Sequence, residues 1–286
     1  MGEIYKNLNE DQWLLRHAQN THSLSGEDGI LRKIFEVISP ANRWCVEFGA
    51  WDGKQYSNTY QLMQESWSGV FIEADSVKFQ DLLKTFQGNP KAHCVNCFVN
   101  FEGENSLQNL LKRTDIPKDF DLLSIDIDGN DYHIWESFHD YQPRVVIIEF
   151  NTTIPSDVEF VQPRDMSVQQ GSAPLSLIKL GKAKGYELVC LTEYNAIFVT
   201  ASLLKSFNLS NNDITRLRPQ QPLFQLFQLY DGTFVVQGIT QIQWNGLPIR
   251  SDKFQILPKM FRVYPRDSLS FGKRILRRIW TFFYLR

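Results

Sequence analysis

Val46-Glu47-Phe48-Gly49-Ala50-Trp51-Asp52-Gly53 decides how this chain is read. An apolar run over 44–48 leads into it and a helical pattern over 57–65 follows, so the motif sits at a strand-to-helix turn. Gly49 and Gly53 let the backbone turn sharply and come close to a ligand. On open parallel sheets ligands sit at the carboxyl ends of strands, where the strand order reverses. The spacing is E-x-G-x-x-x-G, not the G-x-G-x-x-G of dinucleotide binders. Two acids, Glu47 and Asp52, lie inside it. Carboxylates repel a pyrophosphate but suit a ligand that carries positive charge.

Short apolar runs predict strands over 44–48, 69–73, 93–99, 121–127, 144–150, 186–191 and 196–200. Helical patterns over 28–37, 57–65, 77–86, 106–112, 132–138 and 175–184 lie among them. Several strands are apolar at consecutive positions, as strands covered on both faces are. The alternation implies βαβ units and a mostly parallel sheet. Only Thr192–Asn195 separates the last two strands, so they form a hairpin. The predicted fold class is α/β, with a Rossmann-like seven-stranded sheet whose last strand is antiparallel. This is the layout of class I methyltransferases.

The second strand ends at Glu73, 20 residues past Gly53. An acid there can accept both hydrogen bonds of a ribose diol. The third strand ends near Asn96-Cys97-Phe98, which could wall an adenine ring. With Glu47, Gly49, Asp52 and Gly53 these residues fit S-adenosylmethionine better than NAD. A flavodoxin-like or NAD-binding sheet shares the geometry and is the competing reading.

The chain resembles the FkbM-type S-adenosylmethionine-dependent methyltransferases over about residues 20–200. The matching stretches are SLSGEDGIL (23–31), VEFGAWDG (46–53), GVFIEAD (69–75), DLLSIDIDGNDY (121–132), VVIIEFN (145–151) and GYELVCLTEYNAIFV (185–199). The resemblance implies that Glu47, Gly49 and Glu73 bind the cofactor. It also implies that the segment Ser25-Gly26-Glu27-Asp28 closes over the site. Helix capping is an equal reading of Ser25 and Asp28.

Asp126, Asp128 and Asp131 cluster where the fourth strand ends, and Glu149 and Asn151 where the fifth does. Neighbouring strands lie about 4.8 Å apart, so these oxygens can converge. Converging hard oxygens suit Mg²⁺ or another divalent cation. The pattern D-x-D-x-x-x-Y followed by E-x-N is similar to cation-dependent catechol and caffeoyl-type O-methyltransferases. That likeness implies Asp126, Glu149 and Asn151 as metal ligands, with Asp126 also facing the cofactor. Phe150 stands between Glu149 and Asn151, where that family has adjacent residues. Asp128 and Asp131 are the candidate catalytic base or acceptor anchor, with His133 behind them. Asp131 could instead cap the helix expected from Tyr132.

Composition sets the outer bounds. At 286 residues, 43% hydrophobic and 22% charged, the chain is neither disordered nor a disulfide-dense miniprotein. Net charge is −2 but uneven. After residue 200 there are 13 Lys+Arg against 4 Asp, and before it 17 against 28 acids. A methyltransferase domain over 1–200 with an N-terminal helical cap, and a basic extension over 201–286, are therefore expected. The start lacks signal-peptide character and Lys6 spoils a myristoylation signal, so a cytoplasmic location with reduced cysteines is expected. Cys94-Val-Asn-Cys97 lacks a second pair, which argues against zinc.

In the extension, LFQLFQLYDGTFVVQGITQIQW (223–244) alternates like strands around an Asp231-Gly232 turn. The end, FGKRILRRIWTFFYLR (271–286), places Ile275, Leu276, Ile279, Trp280 and Phe283 on one helical stripe. Lys273, Arg274, Arg277 and Arg278 fall opposite. Peripheral membrane contact and packing on the domain or in a homo-oligomer are both open readings. Nucleic acid is disfavoured by the acidic body. Two functions follow: O-methylation of a sugar, glycan or other small hydroxyl acceptor, or a non-catalytic module that docks through its basic tail.

Overall fold

The computed structural model describes residues 5–220 and 224–286. The chain divides into two compact units, Met1–Gln221 and Pro222–Arg286.

The first unit carries α1 (Glu27–Ile38), β1 (Trp44–Phe48), α2 (Tyr60–Gln64), β2 (Ser68–Glu73), α3 (Ser76–Thr85), β3 (Ala92–Asn96), α4 (Leu107–Leu111), β4 (Leu122–Ile125), α5 (Asp131–Ser137), β5 (Val145–Glu149), α6 (Pro174–Ala183), β6 (Tyr186–Leu191), β7 (Asn195–Thr200) and α7 (Ile214–Leu217). The sheet order is β3-β2-β1-β4-β5-β7-β6. β1 to β5 run parallel, while β7 pairs antiparallel with both β5 and β6. This is the class I methyltransferase arrangement. The order reverses between β1 and β4, so a crevice is expected at their carboxyl ends.

Alternation along the strands splits the core in two. Val46, Phe48, Leu123, Ile125, Val146 and Ile148 face the side of Leu110, Trp135 and Leu177. Cys45, Phe71, Leu122 and Ile147 face the side of Ile30, Ile34, Met63 and Leu82. Covering on both faces explains why these strands read as nearly unbroken apolar runs.

Three strands end earlier than the sequence pattern predicts. β3 stops at Asn96, β4 at Ile125 and β5 at Glu149. Just past β3 and β5 one amide each still bonds across, Cys97 N to the Glu73 carbonyl at 3.1 Å and Phe150 N to the Tyr194 carbonyl at 2.9 Å. The first unit also runs past the expected boundary at residue 200, because Ile214 and Leu217 of α7 are buried in its core.

The amino end of β4 is held by charge. Asp121, fully buried, accepts hydrogen bonds from the backbone amides of Ala41 (2.9 Å), Asn42 (2.8 Å) and Arg43 (2.6 Å), and pairs with Arg144 Nη1 at 2.7 Å. Removing the buried carboxylate leaves three backbone amides and one Arg144 nitrogen without this acceptor. Asp121→Ala is expected to destabilise the protein by about 3 kcal/mol, seen as a lower urea midpoint with an unchanged slope. A midpoint equal to the wild type would show that the pair is dispensable.

The second unit, Pro222–Arg286, holds β8 (Phe224–Gln228), β9 (Phe234–Gly238) and α8 (Phe271–Tyr284). β8 and β9 pair antiparallel, as the Asp231-Gly232 turn predicts. Leu223, the first residue of the predicted strand segment, lies outside the described residues. An extension of the first unit is the expectation from sequence; a compact unit of its own is what forms.

Candidate active site

Glu47 is the fourth residue of β1 and is 5% exposed. Its carboxylate accepts hydrogen bonds from Ser57 Oγ (2.6 Å), Thr59 Oγ1 (2.7 Å) and the Asn58 amide (2.8 Å). Burial still raises its pKa. Asn58 Nδ2 reaches Ser124 Oγ of β4 at 3.1 Å. With both oxygens engaged, Glu47 positions the loop ahead of α2 rather than offering a free carboxylate to a ligand.

Gly49 has φ of +72°, and a Cβ there would overlap the backbone oxygen of Asp126. The turn after β1 and the chain leaving β4 therefore touch only because residue 49 lacks a side chain. Gly53, also at +72°, packs against Leu82 and Phe86. Asp52 accepts hydrogen bonds from the amides of Lys54 (2.9 Å) and Gln55 (2.7 Å), so it closes its own turn.

Glu73 closes β2 and meets that turn. Its Oε2 accepts the Trp51 amide at 2.8 Å and its Oε1 the Asp75 amide at 2.7 Å. Asn96 donates through Nδ2 to the Glu73 carbonyl at 2.8 Å, which brings the end of β3 alongside. The three strand ends expected to share one ligand are thus adjacent. Trp51 and Phe98, 38% and 53% exposed, offer aromatic surface on the same loops.

Past the end of β4, ligand oxygens of Asp126, Asp128 and Glu149 lie within 4.8 Å of one another. Asp128 is exposed and has φ of +57°, so strand alternation does not aim it; a left-handed turn does. Burial first, then Asp131 and Asp128, push the Asp126 carboxyl well above the usual range. Burial, then Asp126, push Glu149 up to about 10.

Two further expected residues are engaged by nearby loop groups. Asp131, 4% exposed, accepts the amides of Ile127 (3.0 Å) and Gly129 (2.9 Å), so it shapes the loop that carries Asp128. Burial raises its pKa to about 6 against those bonds. Asn151 lies beyond the end of β5. Its Nδ2 donates to the Gln170 carbonyl at 2.8 Å and its Oδ1 accepts from Thr153 N (3.0 Å) and Oγ1 (2.6 Å). Of the residues read from the catechol-type pattern, Asp126 and Glu149 lie in the acidic cluster with Asp128. His133 is buried, with Nε2 2.8 Å from the Gln162 carbonyl, and does not join the cluster.

The segment ahead of α1 supplies residues that strand-end reasoning missed. Glu27, fully buried, accepts from Thr192 Oγ1 (2.7 Å), Asn195 Nδ2 (3.0 Å) and the Ser25 amide (2.7 Å). Asn195 of β7 is the register partner of Glu149. Asp28 Oδ2 accepts the amides of Thr21, His22 and Ser23 at 2.7–2.8 Å, which holds a loop rather than capping α1. Ser25 Oγ, Asp28 Oδ1 and Asn195 Oδ1 are buried without a hydrogen-bond partner. Only the motif SGED pointed here; the partners 165 and 168 residues away are invisible to local pattern.

Glu27, Asp28, Glu47, Glu73, Asp126, Asp128, Asp131 and Glu149 thus ring the strand ends. Among the described residues, no ion pair with Lys, Arg or His involves any of them.

No family model matches the chain, and no curated protein matches it in sequence. Among solved structures it is similar to the CurJ carbon methyltransferase, at 11% identity and TM-score 0.40, over 61% of this chain and 52% of that one. It is also similar to an S-adenosylmethionine-dependent methyltransferase from Clostridium acetobutylicum, at 10% identity and TM-score 0.37, over 61% and 90%. The N-terminal domain of EvdMO1, solved with SAH bound, matches at 11% and 0.40, over 61% and 80%. The match spans about half the length of the CurJ structure. Likeness at this level fixes no activity, which has to be argued from the residues themselves.

Proposed function

We propose that the first unit is an S-adenosylmethionine-dependent methyltransferase that methylates a hydroxyl of a sugar, glycan or other small acceptor. The observation that carries this reading is the ring of eight carboxylates, none of them ion-paired with Lys, Arg or His among the described residues. Such a field favours a ligand that brings its own positive charge. S-adenosylmethionine brings a sulfonium and an ammonium, and its diol can hydrogen-bond to Glu73. The unpartnered Asp28 Oδ1 and Asn195 Oδ1 are buried acceptors still lacking a donor. A pyrophosphate cofactor would meet carboxylates at the ends of β1, β2, β4 and β5, which disfavours NAD.

The cofactor supplies an electrophilic methyl group. The chain's own part is to hold the acceptor in line and take its proton. Asp128 is the residue best suited to the second task, being the exposed member of the cluster and free of the loop bonds that occupy Asp131. Asp126, Asp128 and Glu149 also have the oxygen chemistry to hold Mg²⁺ or a similar ion, which would lower the acceptor's pKa.

Titration calorimetry tests the reading. S-adenosylmethionine is expected to bind the full chain, and Glu73→Gln to weaken it at least tenfold, about 1.4 kcal/mol. Absence of binding, or equal affinity in the variant, would overturn it. Binding without any methylated product from hydroxyl acceptors, followed by mass spectrometry, would leave a non-catalytic module. Activity indifferent both to EDTA and to Asp126→Asn would remove the metal alone.

A further inference from the structure

α8 is amphipathic, and its faces are turned the opposite way from a helix that packs on its own domain. The half-buried side holds Arg277, Trp280 and Thr281. Arg274 donates from Nε to the Leu269 carbonyl at 2.8 Å and from Nη2 to the Asp267 carbonyl at 3.2 Å. Trp280, at the edge of the stripe, lies 6.3 Å from Phe261 and stacks on Tyr284 at 4.9 Å. The rest of the apolar stripe faces outward: Ile275 is 44% exposed, Ile279 49% and Phe283 70%. Most of the large apolar side chains that the chain exposes lie in this unit, Phe227 and Trp244 among them. Among its described residues only Phe261 and Leu269 are buried apolar side chains. No helix among the described residues is long and apolar enough to cross a membrane.

Charge selects what covers such a face. Pro222–Arg286 holds ten Lys+Arg and three Asp. Two copies meeting through this surface would bring like charge together, whereas an anionic surface is drawn to it. Lys273 and Arg278 border the stripe on its two sides. There their heads can reach phosphate while Ile275, Ile279 and Phe283 enter the acyl boundary. A nucleic acid would meet the basic residues but leave the apolar stripe uncovered.

We propose that the second unit docks on an anionic lipid bilayer, with α8 lying in the interface. The test is co-sedimentation of the full chain with phosphatidylcholine vesicles, with and without roughly one-third phosphatidylserine. Binding is expected to the mixed vesicles only, and to fall with added salt. Two variants divide the contributions. I275S/I279S/F283S and K273Q/R278Q are each expected to lower binding at least tenfold, with circular dichroism and Tm unchanged because these side chains are exposed. Absence of binding to the mixed vesicles overturns the proposal, as does binding that both variants retain. So does a dimer, seen by light scattering without lipid, that the triple variant dissociates, since a second copy would then be the occupant.

Discussion

Gly49→Ala is expected to melt several degrees below the wild type and to lose S-adenosylmethionine affinity by at least tenfold. Two costs combine at this position. A left-handed φ costs an L side chain about 1–2 kcal/mol. Displacing the packed chain that the new methyl strikes costs about 1–3 kcal/mol more. The struck atom is the Asp126 backbone oxygen, so the strain moves a residue of the acidic cluster directly. Gly88 provides the control. It has a similar φ of +78°, but nothing lies within 4 Å of a Cβ there. Gly88→Ala is expected to show only the conformational cost, about 1 kcal/mol, with binding intact. Equal behaviour of the two variants would mean that contact between the β1 turn and the end of β4 does not matter to the site.

The second large effect is on pH dependence. In metal-free protein without ligand, Glu149 is pushed up to about 10 and Asp131 to about 6, and Asp126 also lies well above the usual range. In the unfolded chain such groups titrate near pH 4. Between those limits the native state binds more protons than the unfolded state, so stability must fall as pH rises. The contribution is intact below about pH 4 and is lost progressively up to about pH 10, where Glu149 finally ionises. Urea midpoints in EDTA are expected to drop between pH 6 and 9. Glu149→Gln is expected to flatten that drop and to exceed the wild type at the upper end. A bound cation favours the ionised carboxylates, so ligand binding should expel protons. Calorimetry in two buffers of different ionisation enthalpy reads this directly. A pH-independent midpoint, or binding without proton release, would contradict the charge account of the cleft.

Much of the framework could be read from sequence because strands buried on both faces have a compositional signature. The bounds of β1 and β6 match the apolar runs, and Gly49 and Glu73 stand at the turns where the motif spacing puts them. The site was less legible where regular geometry stops. β4 ends at Ile125, so period-two reasoning about Asp126 and Asp128 no longer applies, and a residue at φ of +57° does the aiming. Asp131 and Asn151 have the right chemistry, but nearby loop backbone claims their oxygens. Glu27 finds Asn195 across 168 residues, a distance that only the folded sheet closes. The outward stripe of α8 shows on a helical wheel, but which side meets the unit does not.

Strand β4 has an acid just beyond each end. Asp121 is clamped by an arginine and three amides, whereas Asp126 has only other acids for charged company. The scaffold's electrostatic anchor is therefore remote from its chemistry. Loops 127–130 and 151–172 can diversify without loosening the foot of the sheet. Substitutions in those loops outside Asp128 are thus expected to leave the foot of the sheet as it is.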